Sequence, residues 1–200
     1  MKPSIPDHKW QALSLAETLE LFRPAVFDWA LAGGYAVEQF VGRQLRSHED
    51  VDVMIFRDQQ LLAQDFLAGW RMYCADPPGQ LREWQSGEYL PVGVHDIWFH
   101  ENGSEWWRFQ LVLAETDGDA WYFRKDRAIC GLRQGLVAEY HGTPCVRIDV
   151  QLFYKSRSNR ERDTYDFQAC LPLLDSDQRR SLQRMISRFN PDGHQWLSQL

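Results

Sequence analysis

Two carboxylates, Asp50 and Asp52, stand one residue apart and follow closely on a pair of glycines, Gly33-Gly34, with Arg43, Arg46 and His48 in between. If the chain from Asp50 to Val53 is extended, side chains at i and i+2 leave the same face of the strand. Two hard oxygen donors so placed suit a divalent cation of the magnesium type, which keeps water and takes other ligands from substrate phosphates. Backbone without side chains lets a phosphate tail approach closely, and N–H groups at the start of a following helix point toward an anion. The chemistry these residue types fit is phosphoryl transfer. Each part alone has a plainer reading, since Gly-Gly is commonly only a tight turn and Asp-x-Asp only a solvated strand edge. Taken together they say more, because Asp52 interrupts an otherwise apolar strand at a cost that a cation or hydrogen bonds must offset.

The elements that would position these residues can be read from periodicity. Ser14 and Glu17 have capping-box spacing, and Leu15, Leu19 and Phe22 then form an apolar stripe that Pro24 stops. The run from Trp29 to Ala32 predicts a short strand turning at Gly33-Gly34 into a helix carrying Ala36, Val37, Phe40 and Val41, which Gly42 ends. Val51, Val53 and Ile55 alternate with Asp52, Met54 and Phe56, predicting a strand with two distinct faces. Leu61, Leu62, Phe66 and Leu67 return to helical spacing before Gly69. Strand texture follows from Trp70 to Cys74, Val94 to Phe99, Trp107 to Glu115 and, after the Asp117-Gly118 turn, Ala120 to Arg124. From Val150 onward the pattern is helical, with Ser176 as a cap and Asn190-Pro191 as a stop. The expectation is a mixed α/β core over residues 1–130 and a helical C-terminal region over 131–200, with no flexible linker between them.

The bulk properties exclude more than they identify. A chain of 200 residues with 44% hydrophobic and 25% charged residues can bury its own core. A formal net charge of −6 without a run of Lys or Arg before the C-terminal third argues against long nucleic acid and is compatible with a small cationic acceptor. Cys74, Cys130, Cys145 and Cys170 lack zinc or redox spacing and read as buried free thiols. Nine Trp residues are unusual, and Trp84, Trp98, Trp106, Trp107 and Trp121 fit either an aromatic-walled acceptor pocket or ordinary core packing. Residues Met1 to Lys9 hold two prolines and no apolar core segment, and no later stretch of about 18 apolar residues occurs, so a cytoplasmic location is expected.

From Trp29 to Asp52 the sequence Trp-Ala-Leu-Ala-Gly-Gly-Tyr-Ala-Val-Glu-Gln-Phe-Val-Gly-Arg-Gln-Leu-Arg-Ser-His-Glu-Asp-Val-Asp resembles the signature of the aminoglycoside 2''-adenylyltransferase and lincosamide nucleotidyltransferase group, within the DNA polymerase β-like nucleotidyltransferase superfamily. Weaker similarity covers Asp117 to Asp126, Val150 to Lys155, and Asp166-Phe167, while residues 70–105 add little. The resemblance implies a nucleotidyltransferase fold, an α/β (α+β) arrangement of a mixed sheet flanked by helices. It implies transfer of a nucleoside monophosphate from ATP or another nucleoside triphosphate to a hydroxyl of a small molecule, aminoglycoside-like or lincosamide-like, through two Mg2+ ions. Asp50 and Asp52 would be metal ligands, and Gly33, Gly34, Arg43, Arg46 and His48 would contact the nucleotide, with Arg43 and Arg46 alternatively in structural pairs with nearby acids. His48 could instead orient Asp50 or simply pack. For the superfamily's third carboxylate the candidate is Glu115, on a strand face with Leu111 and Leu113, as ligand or base, against the alternative of a strand-end charge. Lys155 would contact phosphate or lock the helical region to the core, with Arg160 and Arg162 adding positive charge or forming a solvated face. The alternative function is a non-catalytic relative that binds nucleotide or a partner protein.

Overall fold

The computed structural model describes residues 9–77, 79–158 and 160–200. Residues 1–8, most of the segment read as lacking an apolar leader, lie outside them.

The described chain opens with a two-residue strand β1 (Lys9–Trp10) and helix α1 (Leu15–Phe22), followed by β2 (Trp29–Leu31), α2 (Gly33–Val41), β3 (Asp52–Phe56) and α3 (Gln60–Phe66). Strands β4 (Trp70–Ala75), β5 (Leu81–Glu83), β6 (Asp96–Glu101), β7 (Trp106–Trp107), β8 (Phe109–Asp117), β9 (Ala120–Phe123), β10 (Asp126–Leu132), β11 (Val137–Tyr140) and β12 (Thr143–Val146) come next. Helices α4 (Ile148–Ser156), α5 (Glu161–Cys170) and α6 (Ser176–Phe189) complete the chain.

One mixed sheet organises these elements, in the order β11-β12-β2-β3-β8-β6-β4-β5, with β9 pairing to the far half of β8 and β10 to β9. At its centre β3 lies parallel to β8 and antiparallel to β2, and β12 joins β2 in parallel. The α/β expectation therefore holds. The division placed at residue 130 falls inside β10, and the hairpin of β11 and β12 returns to the sheet before helices begin at Ile148. These short strands escape periodicity because Pro144 and alternate half-buried positions blur the pattern.

Alternation along the central strands separates two cores. Val53 and Ile55 join Phe22, Leu31, Phe109 and Leu111 on one face, whereas Met54 and Phe56 join Val37, Phe153, Phe167 and Ile186 on the other. Burial of these large side chains is worth roughly 1.5–3 kcal/mol each and fixes the register, because a one-residue slip would carry the whole apolar set to the wrong side. Asp52 thus shares its face with Met54, beneath α4.

Local signals decide the helix ends. The α1 capping box forms as its sequence predicts, Glu17 N–H donating to Ser14 Oγ at 3.2 Å and Ser14 N–H to Glu17 Oε2 at 2.7 Å. Gly42 ends α2 in the left-handed region at φ 77°. For α6 the cap is Asp175 rather than Ser176, with a capping box completed by Gln178, since the carboxylate accepts two N–H groups and favours the helix N-terminus more than a hydroxyl does. Three of the four cysteines are buried free thiols as expected, but Cys130 is exposed. Among the described residues no helix is long and apolar enough to cross a membrane.

Candidate active site

At the end of β2 the chain turns sharply into α2, and the turn is possible only without side chains. Gly33 sits at φ +62°, and a Cβ there would come within 2.3 Å of Asp52 Oδ2. A Cβ on Gly34 would lie 2.3 Å from His48 Cε1 and 2.7 Å from Arg46 Nη2. The two glycines therefore do different work: the first lets Asp52 lie against backbone, the second makes room for the His48 ring. Gly33 N–H donates to Gln151 Oε1 of α4 at 3.0 Å, which braces the turn from the helical region. The first turn of α2 carries no side-chain cap, so its remaining N–H groups are available to an anion.

Asp50 and Asp52 both line one cavity of about 210 Å³, with Gly33, Gly34, Arg46, Gln151, Tyr154, Lys155, Arg160 and Arg162 around them. Asp52 opens β3, and Asp50 precedes the strand but keeps its alternation, since Val51 between them is buried in the opposite core. Among the described residues neither carboxylate has a hydrogen-bonding or cationic partner of its own. Burial, the Asp50 charge and, more weakly, Asp96 push the Asp52 carboxyl up to about 7, against the pull of Lys155 and Arg160. Two carboxylates on one wall, neither in direct contact with a cation or donor, are a donor set that fits a divalent cation. No cluster of three or more His, Cys, Asp or Glu positioned for a metal occurs among the described residues, so other ligands would come from water and phosphate, as magnesium prefers.

Basic side chains near the carboxylates are tied into the scaffold. Lys155 is buried and meets Asp163 Oδ1 at 3.2 Å and Asp166 Oδ2 at 2.7 Å, so it locks α5 to α4 while edging the cavity. Arg46 reaches Asp166 at 3.3 Å and His48 Nδ1 at 3.2 Å. Arg160 binds Asp163 at 2.7 Å, and Arg162 is exposed on the rim. His48 does not reach the cavity. Its Nε2 lies 2.8 Å from Glu38 Oε1, at ion-pair distance but off the line of a ring N–H bond, and its ring lies against Tyr35 with centroids 4.3 Å apart. Glu38 also accepts the N–H groups of Leu45 and Arg46 at 2.7 and 3.1 Å, so α2 holds the loop that delivers Asp50. Arg43 stands apart, lining a different surface groove with Gln44 and His141.

Glu115 is not brought into this group. Asp52 pairs in register with Gln110 of β8, which puts Gln110, Val112 and Ala114 on the Asp52 face and Glu115 on the other parity, with Leu111 and Leu113. Its carboxylate is buried against Arg57, with both oxygens 2.6 Å from the guanidinium, and Arg57 spends its other donors on the carbonyls of Leu90, Pro91 and Val94. The carboxylate that shares the Asp52 face is Asp96, on β6 opposite Val112, itself opposite Met54. It accepts from Gln110 Nε2 at 2.9 Å and lies 3.0 Å from His95 Nε2. The signal that marks Asp52, an acidic residue beginning an apolar alternating strand, is equally present at Asp96-Ile97-Trp98-Phe99. Of the five tryptophans, Trp84, Trp107 and Trp121 are buried core, while Trp98 and Trp106 keep exposed surface.

The strand order and the glycine turn define a nucleotidyltransferase fold, shared with solved structures at low identity. The solution structure of the antibiotic-resistance factor ANT(2'')-Ia aligns with a TM-score of 0.55 and 14% identity over 88% of this chain and 91% of that one. A crystal structure of ANT(2'')-Ia with adenylyl-2''-tobramycin gives 0.53 and 16% over 88% and 96%. The lincosamide antibiotic adenylyltransferase LnuA, bound to lincomycin, gives 0.53 and 16% over 80% and 96%. The chain belongs to the aminoglycoside-2''-adenylyltransferase family, whose model matches residues 14–169. No curated protein matches it in sequence.

One consequence is local. Gly33→Ala forces a strained φ and drives Asp52 from its place, so activity should fall about 100-fold while stability drops by about 1–3 kcal/mol. Steady-state kinetics beside thermal unfolding would check it, and a variant with unchanged turnover would remove the turn from the mechanism.

Proposed function

We propose that the chain transfers a nucleoside monophosphate from a nucleoside triphosphate, ATP in the first instance, to a hydroxyl of a small molecule, with Mg2+ held by Asp50 and Asp52. The reference acceptors are the polyhydroxylated antibiotics of its relatives. The observation that carries the reading is the pair of unpartnered carboxylates beside the glycine turn, on the wall of a cavity whose other rim is basic. Metal bound there would supply charge neutralisation at the phosphates and draw attacking and leaving oxygens into line.

The chain's own residues do the rest. Gly33 and Gly34 let the phosphate tail lie against backbone, with the uncapped first turn of α2 as anion site. Arg162, exposed at the rim, offsets phosphate charge, whereas Arg46, Lys155 and Arg160, already paired to Asp163 and Asp166, mainly hold the α4–α5 wall and leave positive charge beside the cavity. Asp96, outside the Asp50–Asp52 pair but on the same sheet face, takes the proton of the acceptor hydroxyl as its oxygen attacks the α-phosphorus and the bond to the β-phosphate oxygen breaks. The hydrogen bond from Gln110 fixes the Asp96 carboxylate for that role.

The test is release of pyrophosphate from Mg-ATP across a panel of hydroxylated acceptors, with mass spectrometry of the acceptor. An acceptor gaining one nucleoside monophosphate supports the reading. Tight Mg-ATP binding without pyrophosphate release from any acceptor would favour a non-catalytic nucleotide-binding role.

A further inference from the structure

Beyond the wall formed by Met54, Val112, Val146 and Tyr154 lies a second cavity of about 220 Å³, and those four residues line both. It is mostly apolar, with Tyr122, Phe123 and Leu136, and Asp96 stands at its edge. An acceptor hydroxyl presented to Asp96 would therefore belong to a molecule seated here. Its charges are unequal in their compensation. Glu115 is answered by Arg57 at 2.6 Å, and Asp96 by His95 at 3.0 Å and Gln110 at 2.9 Å. Arg124, at the end of the β9 hairpin, and Arg157, at the end of α4, line the same cavity, and among the described residues neither forms an ion pair with a carboxylate, the Asp96 charge acting on Arg157 more weakly than Arg124 does. Arg157 is instead held by Phe123, its guanidinium carbon 4.8 Å from the ring centroid.

We infer that this second cavity is the acceptor subsite and that Arg124 and Arg157 select an acceptor bearing an oxyanion, a phosphate or a carboxylate, rather than a polycation. This rests on the transfer reading above. Two guanidiniums turned to one apolar hollow repel each other until an anion lies between them, and a planar fork matches oxyanion geometry. Packing first, and the Arg124 charge second, hold the Arg157 guanidinium below its ordinary value, although Arg157 is an exposed residue. A polyamine-like acceptor would meet the same two charges as repulsion, against only one unburied carboxylate, Asp96. The triphosphate has its own place on the glycine side of the shared wall, beside Arg46 and Arg162.

Four probes with one sugar ring separate the possibilities: galactose, galactosamine, galacturonate and galactose 6-phosphate, titrated calorimetrically with and without Mg2+ and α,β-methylene-ATP. The expected result is that the two anionic probes bind at least about tenfold more tightly than galactose and that galactosamine binds worst. Comparing galacturonate with galactose 6-phosphate tells which oxyanion fits. In the Arg124→Gln/Arg157→Gln protein the preference should shrink to about twofold with nucleotide affinity unchanged. Equal affinities, a preference for galactosamine, or no binding of any probe would overturn the inference. So would a double variant that loses the nucleotide analogue instead, which would give the guanidiniums to the phosphate tail. Should the analogue fail to bind wild-type protein while the anionic probes still do, it is the transfer reading that fails and not the subsite.

Discussion

Asp50→Asn and Asp52→Asn are each expected to lower nucleotide transfer by at least about a thousandfold, since in the proposed mechanism several kcal/mol of transition-state charge stabilisation would come from the metal these carboxylates hold. The stability of Asp52→Asn should move the other way. The Asp52 carboxyl stands at about 7 in the folded chain, against 3.8 as its ordinary value. Between those values the folded protein keeps a proton that the unfolded chain has lost, so metal-free stability falls as pH rises from about 4 through about 7. Above pH 8 the ionised side chain costs on the order of 4 kcal/mol, and Asp52→Asn removes that cost. Thermal unfolding at pH 8 with chelator should show the variant melting several degrees above the parent, with the difference vanishing near pH 4. Mg2+ should raise the parent's melting temperature and leave the variant's nearly unmoved. A parent indifferent to Mg2+ at saturating nucleotide would sink the metal assignment.

The second large effect separates two carboxylates of nearly the same sequence appearance. Glu115→Ala leaves Arg57 charged, buried and stripped of both its short contacts, which should cost about 3–5 kcal/mol and lower the melting temperature by about 10 °C. Turnover per folded molecule should survive at a temperature where the variant is native. Asp96→Asn reverses the pattern: Asp96 is only half-buried and its neighbours stay solvated, so stability is kept while kcat drops by about 10²–10⁴-fold. If Glu115→Ala were stable and inactive, and Asp96→Asn fully active, the roles given to the two would have to be exchanged.

That exchange shows where a single sequence stops being informative. The glycine turn, the strand with Asp52 and the helix ending at Gly42 are local: the chemistry of a few adjacent residues dictates each, and each appears where the spacing puts it. Which face of β8 looks at Asp52 depends on how β8 is registered against β3, between partners more than fifty residues apart. Without that register Glu115, at the end of a regular apolar alternation, looks like the better candidate, and Asp96, two strands from Asp52, goes unnoticed. Arg43 and His48 belong to the same case. The family resemblance implies phosphate contacts for both, whereas in the structure His48 packs against Tyr35 and Glu38 and Arg43 lines a separate surface groove. Lys155 is legible as an alternative between phosphate and scaffold, and the acids that tie it down, Asp163 and Asp166, lie on the next helix, α5.

The hydrogen bond from Gly33 N–H to Gln151 Oε1 spans 118 positions, and the contact of Arg46 with Asp166 spans 120. A nascent chain therefore cannot complete its reactive turn while only the first two-thirds has been synthesised, because the brace arrives with α4 and α5. Loops that long close late and raise the contact order of this region above that of the hairpins around it. Bracing of the turn is thus coupled to the docking of α4 and α5, and a fragment ending before Ile148 would carry both aspartates yet hold them without the brace that fixes the turn.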